Sequence, residues 1–302
     1  MRVIYGVNKI RKFPNPVVAL GVFDGVHLGH KRILQEAVST AKKIKGTSII
    51  LTFDPHPQSE DSICSLEHRL NLISRIGLDV CIVIRFDKRF SQVTARDFMV
   101  KILYRRINPR YLLVGKNFTF GRNAQGDFNL LKKFSQRYNF KLKAFDIVKI
   151  GSRPVSSTYI RNLILAGKLN EAGRLLSRPV NILGEVARGE SLGKVLGFPT
   201  ANIDPHHEII PPSGIYIVKV HLANRIFKGV CYIGKRPTFK NTGLRLKNNI
   251  EVHILNFHKN IYGKKIEIHF FDKIREDKRF KSAVELAKQI KKDVICAQKA
   301  NL

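Results

Sequence analysis

An apolar, β-rich run at residues 17–23 leads into Gly21-Val22-Phe23-Asp24-Gly25-Val26-His27-Leu28-Gly29-His30, and a helical pattern begins where that string ends. A chain that passes from strand to helix through so many glycines in so short a space is committed to an α/β arrangement. Over 30–43 the apolar residues Ile33, Leu34, Ala37, Val38 and Ala41 recur at helical spacing, and 47–53 is again β-rich. This predicts a βαβ unit with a right-handed crossover. The alternation continues with a helix over 65–76 ended by Gly77, a strand over 80–84, a helix over 94–104 opened by Thr94 and Asp97, and strands over 111–114 and 141–148. Repetition of this kind predicts a doubly wound parallel sheet, with ligands beyond the carboxyl ends of its strands.

Past Arg178-Pro179 the pattern changes to short strands with turn signals, over 214–220, 226–232, 250–257 and 265–271. An antiparallel barrel is expected there. An amphipathic helix over 282–297, with Val284, Ala287, Ile290 and Val294 on its packing face, is expected to follow. The predicted domains are 1–178 and 179–302, since a helix ends before a proline.

Composition narrows the setting. The 302 residues, 44% hydrophobic and 25% charged, suit two ordinary globular cores. The N-terminal segment interleaves charge with short apolar pieces and no run approaches membrane-spanning length, so a cytosolic protein without membrane contact is expected. Cys64, Cys81, Cys231 and Cys296 are far apart and form no C-x-x-C pair, which argues for reduced thiols rather than a disulfide framework or a zinc site. The net charge of +31 invites a nucleic-acid reading. Its distribution does not: residues 1–180 carry 32 Lys and Arg against 12 Asp and Glu, and residues 181–302 carry 22 against 11. Excess charge spread over both halves reads as solvated faces, and nucleic acid is not expected as a partner.

Two motifs carry chemistry. In the first, glycines let the backbone approach a phosphate chain, the helix N-terminus offers N–H groups, and His27 and His30 can donate to phosphate oxygens as charge builds. The alternatives are a plain tight turn or a His-x-x-His pair lacking further metal ligands. The second is Leu196-Gly197-Phe198-Pro199-Thr200-Ala201-Asn202-Ile203, preceded by Gly189, Gly193 and Lys194. Thr200 and Asn202, two apart on an extended chain, face one way and offer two oxygens suited to Mg²⁺; the alternative is a strand entry with a proline bend. The nearby G-E-S-L-G-K is not a P-loop, because a residue is missing between the glycines and Val195 follows the lysine.

The segments GVFDGVHLGH, TFDPHP at 52–57, VGKNFTFG at 114–121 and VSSTYIR at 155–161 resemble the adenylyltransferase domain of the bacterial bifunctional riboflavin kinase/FMN adenylyltransferases, which are HxGH nucleotidyltransferases. LGFPTANI, PPSGIYIVKV at 211–220, GKRPTF at 234–239 and IEVHILNFHKNIYGKKIEIHFF at 250–271 resemble the riboflavin kinase barrel of the same family. The resemblance implies a Rossmann-like HxGH domain followed by a small riboflavin kinase-like barrel with a C-terminal helix. It implies that ATP, riboflavin and FMN are substrates and Mg²⁺ the metal. His27, His30 and Arg161 would be catalytic in the first half. Phe23, Asp24, Gly25, Gly29, Asn117, Ser157 and Thr158 would line its nucleotide site. Glu251 would be the base of the kinase half, with Gly189, Gly193, Lys194, Gly197, Pro199, Thr200 and Asn202 at its nucleotide and Thr200 and Asn202 on the metal. Phe53, Pro55 and Pro57 could form a shelf for the flavin ring or simply end the second strand, and Asp127 fits the family's loop but reads as a turn residue.

The chain departs from the family at Lys194, where Arg is usual, at Tyr232, where Asn is usual, and at Asn256, where Asp is usual. Lysine keeps the charge of arginine and loses its fork. The competing readings are an enzyme with one live activity and, on charge alone, a nucleic-acid-binding module.

Overall fold

The computed structural model describes residues 1–57, 61–188, 193, 196–206, 208–235 and 248–302. Two compact units form, Met1–Tyr159 and Ile160–Leu302.

The first unit is built on strands β1 (Arg2–Tyr5), β2 (Val17–Leu20), β3 (Ser48–Asp54), β4 (Val80–Arg85), β5 (Tyr111–Gly115) and β6 (Lys141–Phe145). All pair in parallel, in the order β1-β4-β3-β2-β5-β6. The central strands read VVAL, SIILTFD and VCIVIR, near-continuous apolar runs of the kind a sheet covered on both faces requires. Helix α1 (Leu28–Lys43) covers one face through Ile33, Leu34, Ala37 and Ala41. On the other, Leu20, Leu51, Ile82 and Val114 belong to a core with Phe98, Leu103, Leu131 and Phe134. Strand β1 was not expected. The run over 17–23 stops as a strand at Leu20, because Phe23 takes a left-handed conformation (φ 59°) inside the turn.

The cap expected at Thr94 forms, and two more helices are capped by side chains. Ser65 Oγ accepts the His68 amide to open helix α2 (Leu66–Ser74), and Thr94 accepts the Asp97 amide at 3.1 Å. The helix opened by Thr94 runs on to Ile107, with π-type winding over Phe98–Ile107. Asp127 caps helix Phe128–Arg137 by accepting the Leu130 amide at 2.8 Å.

The first unit also holds a hairpin with two-residue arms, β7 (Lys149–Ile150) and β8 (Arg153–Pro154). In the second unit β9 (Val180–Ala187), β10 (Ala201–Asp204), β11 (Gly214–Leu222), β12 (Arg225–Lys235), β13 (Asn248–Ile254) and β14 (Lys265–Arg275) close into an antiparallel barrel, ordered β10-β13-β12-β11-β14-β9. Helix Ala283–Lys299 packs on β11 and β12. Of its expected packing residues, Ala287, Ile290 and Val294 are half-buried and Val294 packs on the barrel, but Val284 does not pack. Val284 is 63% exposed, whereas Asp293 and Ala297 are buried. Asp293, on the same side, takes a forked bond from Arg275 of β14, at 2.7 Å from Nη2 and 3.1 Å from Nε.

No helix among the described residues is long and apolar enough to cross a membrane. None of the four cysteines is in a disulfide.

Candidate functional site

The sheet order reverses direction at β2: β3, β4 and β1 lie to one side, β5 and β6 to the other. A crevice at the carboxyl ends of β2 and β5 is where such a sheet binds ligands. The Gly21–His30 string leaves β2 at that point, and Asn117, exposed, stands just past the end of β5.

The string folds as a tight turn. Gly25 has φ 75°, and a Cβ there would meet Ile63 Cδ1 at 2.8 Å, so only glycine fits. Asp24 is buried, its carboxylate accepting the amides of Ile63 (3.0 Å) and Cys64 (3.2 Å). It thus fastens the turn from within. Phe23 is also buried, its ring edge-on to His30 with centroids 5.2 Å apart. Gly29 lies under the His27 ring, 3.2 Å from Cε1 to a notional Cβ.

His27 caps α1: its Nδ1 accepts the His30 amide at 3.3 Å. A neutral imidazole that accepts at Nδ1 carries its proton at Nε2. The His27 and His30 rings stack with centroids 3.5 Å apart, an arrangement that disfavours two positive charges. Burial first, then His27, then Arg69 hold His30 well below the usual imidazole pKa of 6.5. Its Nδ1 is buried without a hydrogen-bond partner. The remaining first-turn amides of α1 and two neutral imidazoles, with a donor on His27 Nε2, together suit an anion. Ser157 opens helix Ser157–Leu165 and donates to the Asp24 carbonyl at 2.9 Å, which brings Thr158 to the same turn of helix; Arg161 follows one turn later.

Phe53 is buried against Phe86, Phe90 and Phe98, with centroids 6.3, 5.9 and 6.4 Å away, so its ring serves the core; Pro55 is exposed. Sequence reasoning missed Arg69. It lies on the apolar face of α2 with Leu72 and Ile73, and a charged residue at a core-facing helical position was the available signal.

The second constellation lies on the barrel. Asn202 of β10, Glu251 of β13 and Tyr232 of β12 stand directly opposite one another in register, so their side chains form one row. Tyr232 and its other neighbour Ile215 pack with Val294 of the C-terminal helix, so the row is on the outside of the barrel, beside that helix. The Glu251 carboxylate accepts from Thr200 Oγ1 (3.2 Å) and from Asn249 Nδ2 (2.6 Å). Asn249 was not singled out in the sequence, although two residues before Glu251 on a strand it must share its face. Gly193 accepts the Phe198 amide and leaves no room for a Cβ, 2.5 Å from the Phe198 carbonyl. Gly197 needs its positive φ of 85°, and the Pro199 carbonyl lies 2.8 Å from His253 Nδ1. The Tyr232 hydroxyl donates to Asp277 at 3.1 Å, and burial, then Asp277 and Glu251, push its pKa up to about 12. Asn256, the third departure, takes a left-handed φ of 55° just past β13, a conformation asparagine tolerates well. Gly189, Lys194 and residues 236–239 of GKRPTF lie outside the described residues.

Residues 9–159 match the FAD synthetase family and residues 176–301 the riboflavin kinase family. Bifunctional riboflavin kinase/FMN adenylyltransferases from Buchnera aphidicola (subsp. Schizaphis graminum), Escherichia coli K12 and Haemophilus influenzae are 33, 32 and 34% identical, aligning over 99% of this chain and 97–98% of each relative. The chain belongs to this family. It phosphorylates riboflavin with its C-terminal domain and adenylylates FMN to FAD with its N-terminal one. A Streptococcus pneumoniae crystal structure described as a macrolide-efflux protein shares the architecture over the full length of both chains, with a TM-score of 0.85 and 27% identity.

Proposed function

We propose that His27, His30 and the N-terminus of α1 hold the ATP phosphates for adenylyl transfer, and that Glu251, Thr200 and Asn202 carry phosphoryl transfer to riboflavin. The observation that supports the second assignment best is the hydrogen bond from Thr200, just before β10, to Glu251 of β13, with Asn202 opposite Glu251 in the same row.

In the first reaction an FMN phosphate oxygen attacks the α-phosphorus of ATP and pyrophosphate leaves. No group on the protein bonds to the substrate, so positioning and charge stabilisation supply the rate. His27 presents its Nε2–H to the phosphates, while Gly25 lets the turn pack against Ile63 and Gly29 leaves room for the His27 ring, and both are assigned to the nucleotide site with it. Phe23 and Asp24 shape the turn through their buried side chains, and their backbone is assigned to the nucleotide site with the rest of the string. Asn117, at the end of β5, and Ser157 and Thr158, at the start of their helix, are assigned to the same nucleotide; Arg161 is assigned to it on its charge and on the family resemblance alone.

In the second, Glu251 accepts the proton of the riboflavin primary hydroxyl as that oxygen attacks the γ-phosphorus of ATP, and ADP leaves. Thr200 and Asn249 orient the carboxylate. Gly193, Gly197 and Pro199 form the backbone beside the phosphates, with Gly189 and Lys194 assigned there on sequence. Among the described residues no three His, Cys, Asp or Glu side chains gather as a metal site, and a hydroxyl and an amide oxygen beside a single carboxylate suit a hard cation that draws its other ligands from phosphate and water. Thr200 and Asn202 would hold Mg²⁺, which when bound neutralises phosphate charge.

The functional division is drawn at Arg178-Pro179, giving domains 1–178 and 179–302, and the setting as cytosolic. Replacing His27 and His30 together with alanine tests the assignment: FAD formation from FMN should stop while riboflavin phosphorylation persists. Loss of both activities in a folded variant would overturn it.

A further inference from the structure

Helix α2 carries an arginine where its packing face calls for an apolar residue, and Arg69 is 2% exposed. Nη1 donates to the Val22 carbonyl at 3.1 Å and Nη2 to the Phe53 carbonyl at 2.9 Å, with Asp54 Oδ1 3.5 Å away. Nε is buried without a hydrogen-bond partner. Val22 belongs to the turn that carries the two histidines, and Phe53 is near the end of the adjacent strand β3. Thr52 Oγ1 donates to the same Val22 carbonyl at 2.8 Å. From the other direction, Asp24 of the turn accepts amides at Ile63 and Cys64, just before α2. The turn and the α2 segment therefore exchange two buried charged groups, each bonding to the backbone of the other.

Carbonyl clamping alone does not need a full charge, and a buried guanidinium with an unused N–H is an expensive way to achieve it. Asp54, 40% exposed, offsets that charge only in part, so what the guanidinium adds is a positive field behind the turn on which an anion is to sit. We infer that Arg69 is a positioning residue of the FMN adenylyltransferase site, tying the Gly21–His30 turn to the end of β3 and placing a fixed cation behind the imidazoles that receive the triphosphate. This rests on the phosphate-site reading of His27 and His30. It is consistent with the way Arg69 adds to burial and His27 in keeping His30 uncharged.

The test uses the full chain with Arg69→Met and Arg69→Lys, assaying adenylylation of supplied FMN, phosphorylation of riboflavin on the same preparation, and the titration of His30 by its imidazole NMR resonances. Arg69→Met should lower the adenylylation kcat by about tenfold or more, as a misplaced binding turn does. It should also move the His30 midpoint to higher pH, because a cation that opposed protonation is gone. Riboflavin phosphorylation should stay within about twofold of the parent. Arg69→Lys keeps the charge and loses the fork, so it should hold the His30 midpoint near the parent's and recover part of the rate. A parental adenylylation rate in Arg69→Met, or a Lys variant no better than Met in both rate and midpoint, overturns the proposal. If Arg69→Met fails to fold in its first unit, the Lys variant decides alone by its midpoint and rate. His30→Ala run in parallel separates the two readings: retained adenylylation there sinks the phosphate site itself, whereas its loss beside an unaffected Arg69→Met sinks only the role of Arg69.

Discussion

A strand glutamate can serve as a base only if something aims it, and Glu251, proposed for that role, is aimed twice, by Thr200 and by Asn249. Glu251→Gln keeps the shape and cannot take a proton, so riboflavin should still bind while its phosphorylation falls by roughly 10²- to 10⁴-fold. Adenylylation of supplied FMN on the same preparation is the control; a kinase rate within about threefold of the parent would move the base elsewhere. Thr200→Ala removes both an orienting bond and an oxygen proposed for the metal, and its kinase defect should be relieved in part by excess Mg²⁺. An unaltered Mg²⁺ dependence would leave Thr200 with orientation alone. His30 gives a pH prediction. Because the native imidazole resists protonation and the unfolded one titrates at about 6.5, the unfolded state binds more protons as pH falls below that value, and the first unit loses stability there. His30→Gln should flatten that acid limb in denaturant titrations. That His27 lies against His30, and Thr200 and Asn202 beside Glu251, was legible in sequence because glycines, paired histidines and a Thr-x-Asn on an extended chain each limit the geometry locally. Arg69 and the buried role of Asp24 were not, since their partners at Val22, Phe53, Ile63 and Cys64 come from other segments and pairing across segments leaves no local pattern.

Among the elements, the helices and central strands were legible because 3.6-residue periodicity and long apolar runs are strong signals. Strand β1 was not: four residues with one buried side chain, Ile4, give no pattern, and its place at the sheet edge depends on β4. Strand β10, only Ala201–Asp204, was seen as an extended stretch and not as a barrel stave for the same reason. The C-terminal helix shows a different failure. Apolar spacing found Ala287, Ile290 and Val294 but also took in the exposed Val284, and it missed the buried Asp293, because charge pairing cannot be read from apolar spacing. Removing that anchor with Asp293→Ala strands Arg275, 17% exposed, and should cost about 3 kcal/mol or more in the stability of the second unit. Chemical denaturation followed by a probe in the barrel measures it; a loss under about 0.5 kcal/mol would show the helix held by apolar contacts alone.

For the molecule as a whole, two chemistries on two unrelated folds should be separable by mutation in both directions. Alanine at His27 and His30 should convert the chain into a riboflavin kinase that accumulates FMN, and Glu251→Gln into an adenylyltransferase dependent on supplied FMN; chromatography of the products from riboflavin and ATP reads both at once. The +31 charge has no part in this division, being carried by both units. Barrel closure bears on synthesis. Strand β9 pairs with β10 on one side and with β14 on the other, so the ring cannot shut until residues 265–275 have left the ribosome. The parallel sheet needs nothing beyond β6, which ends at Phe145. A nascent chain stalled between these points would carry a formed sheet and an open barrel, and domains that emerge first fold first. Translation itself then runs opposite to the metabolic order: the unit that finishes FAD takes shape before the unit that makes its FMN.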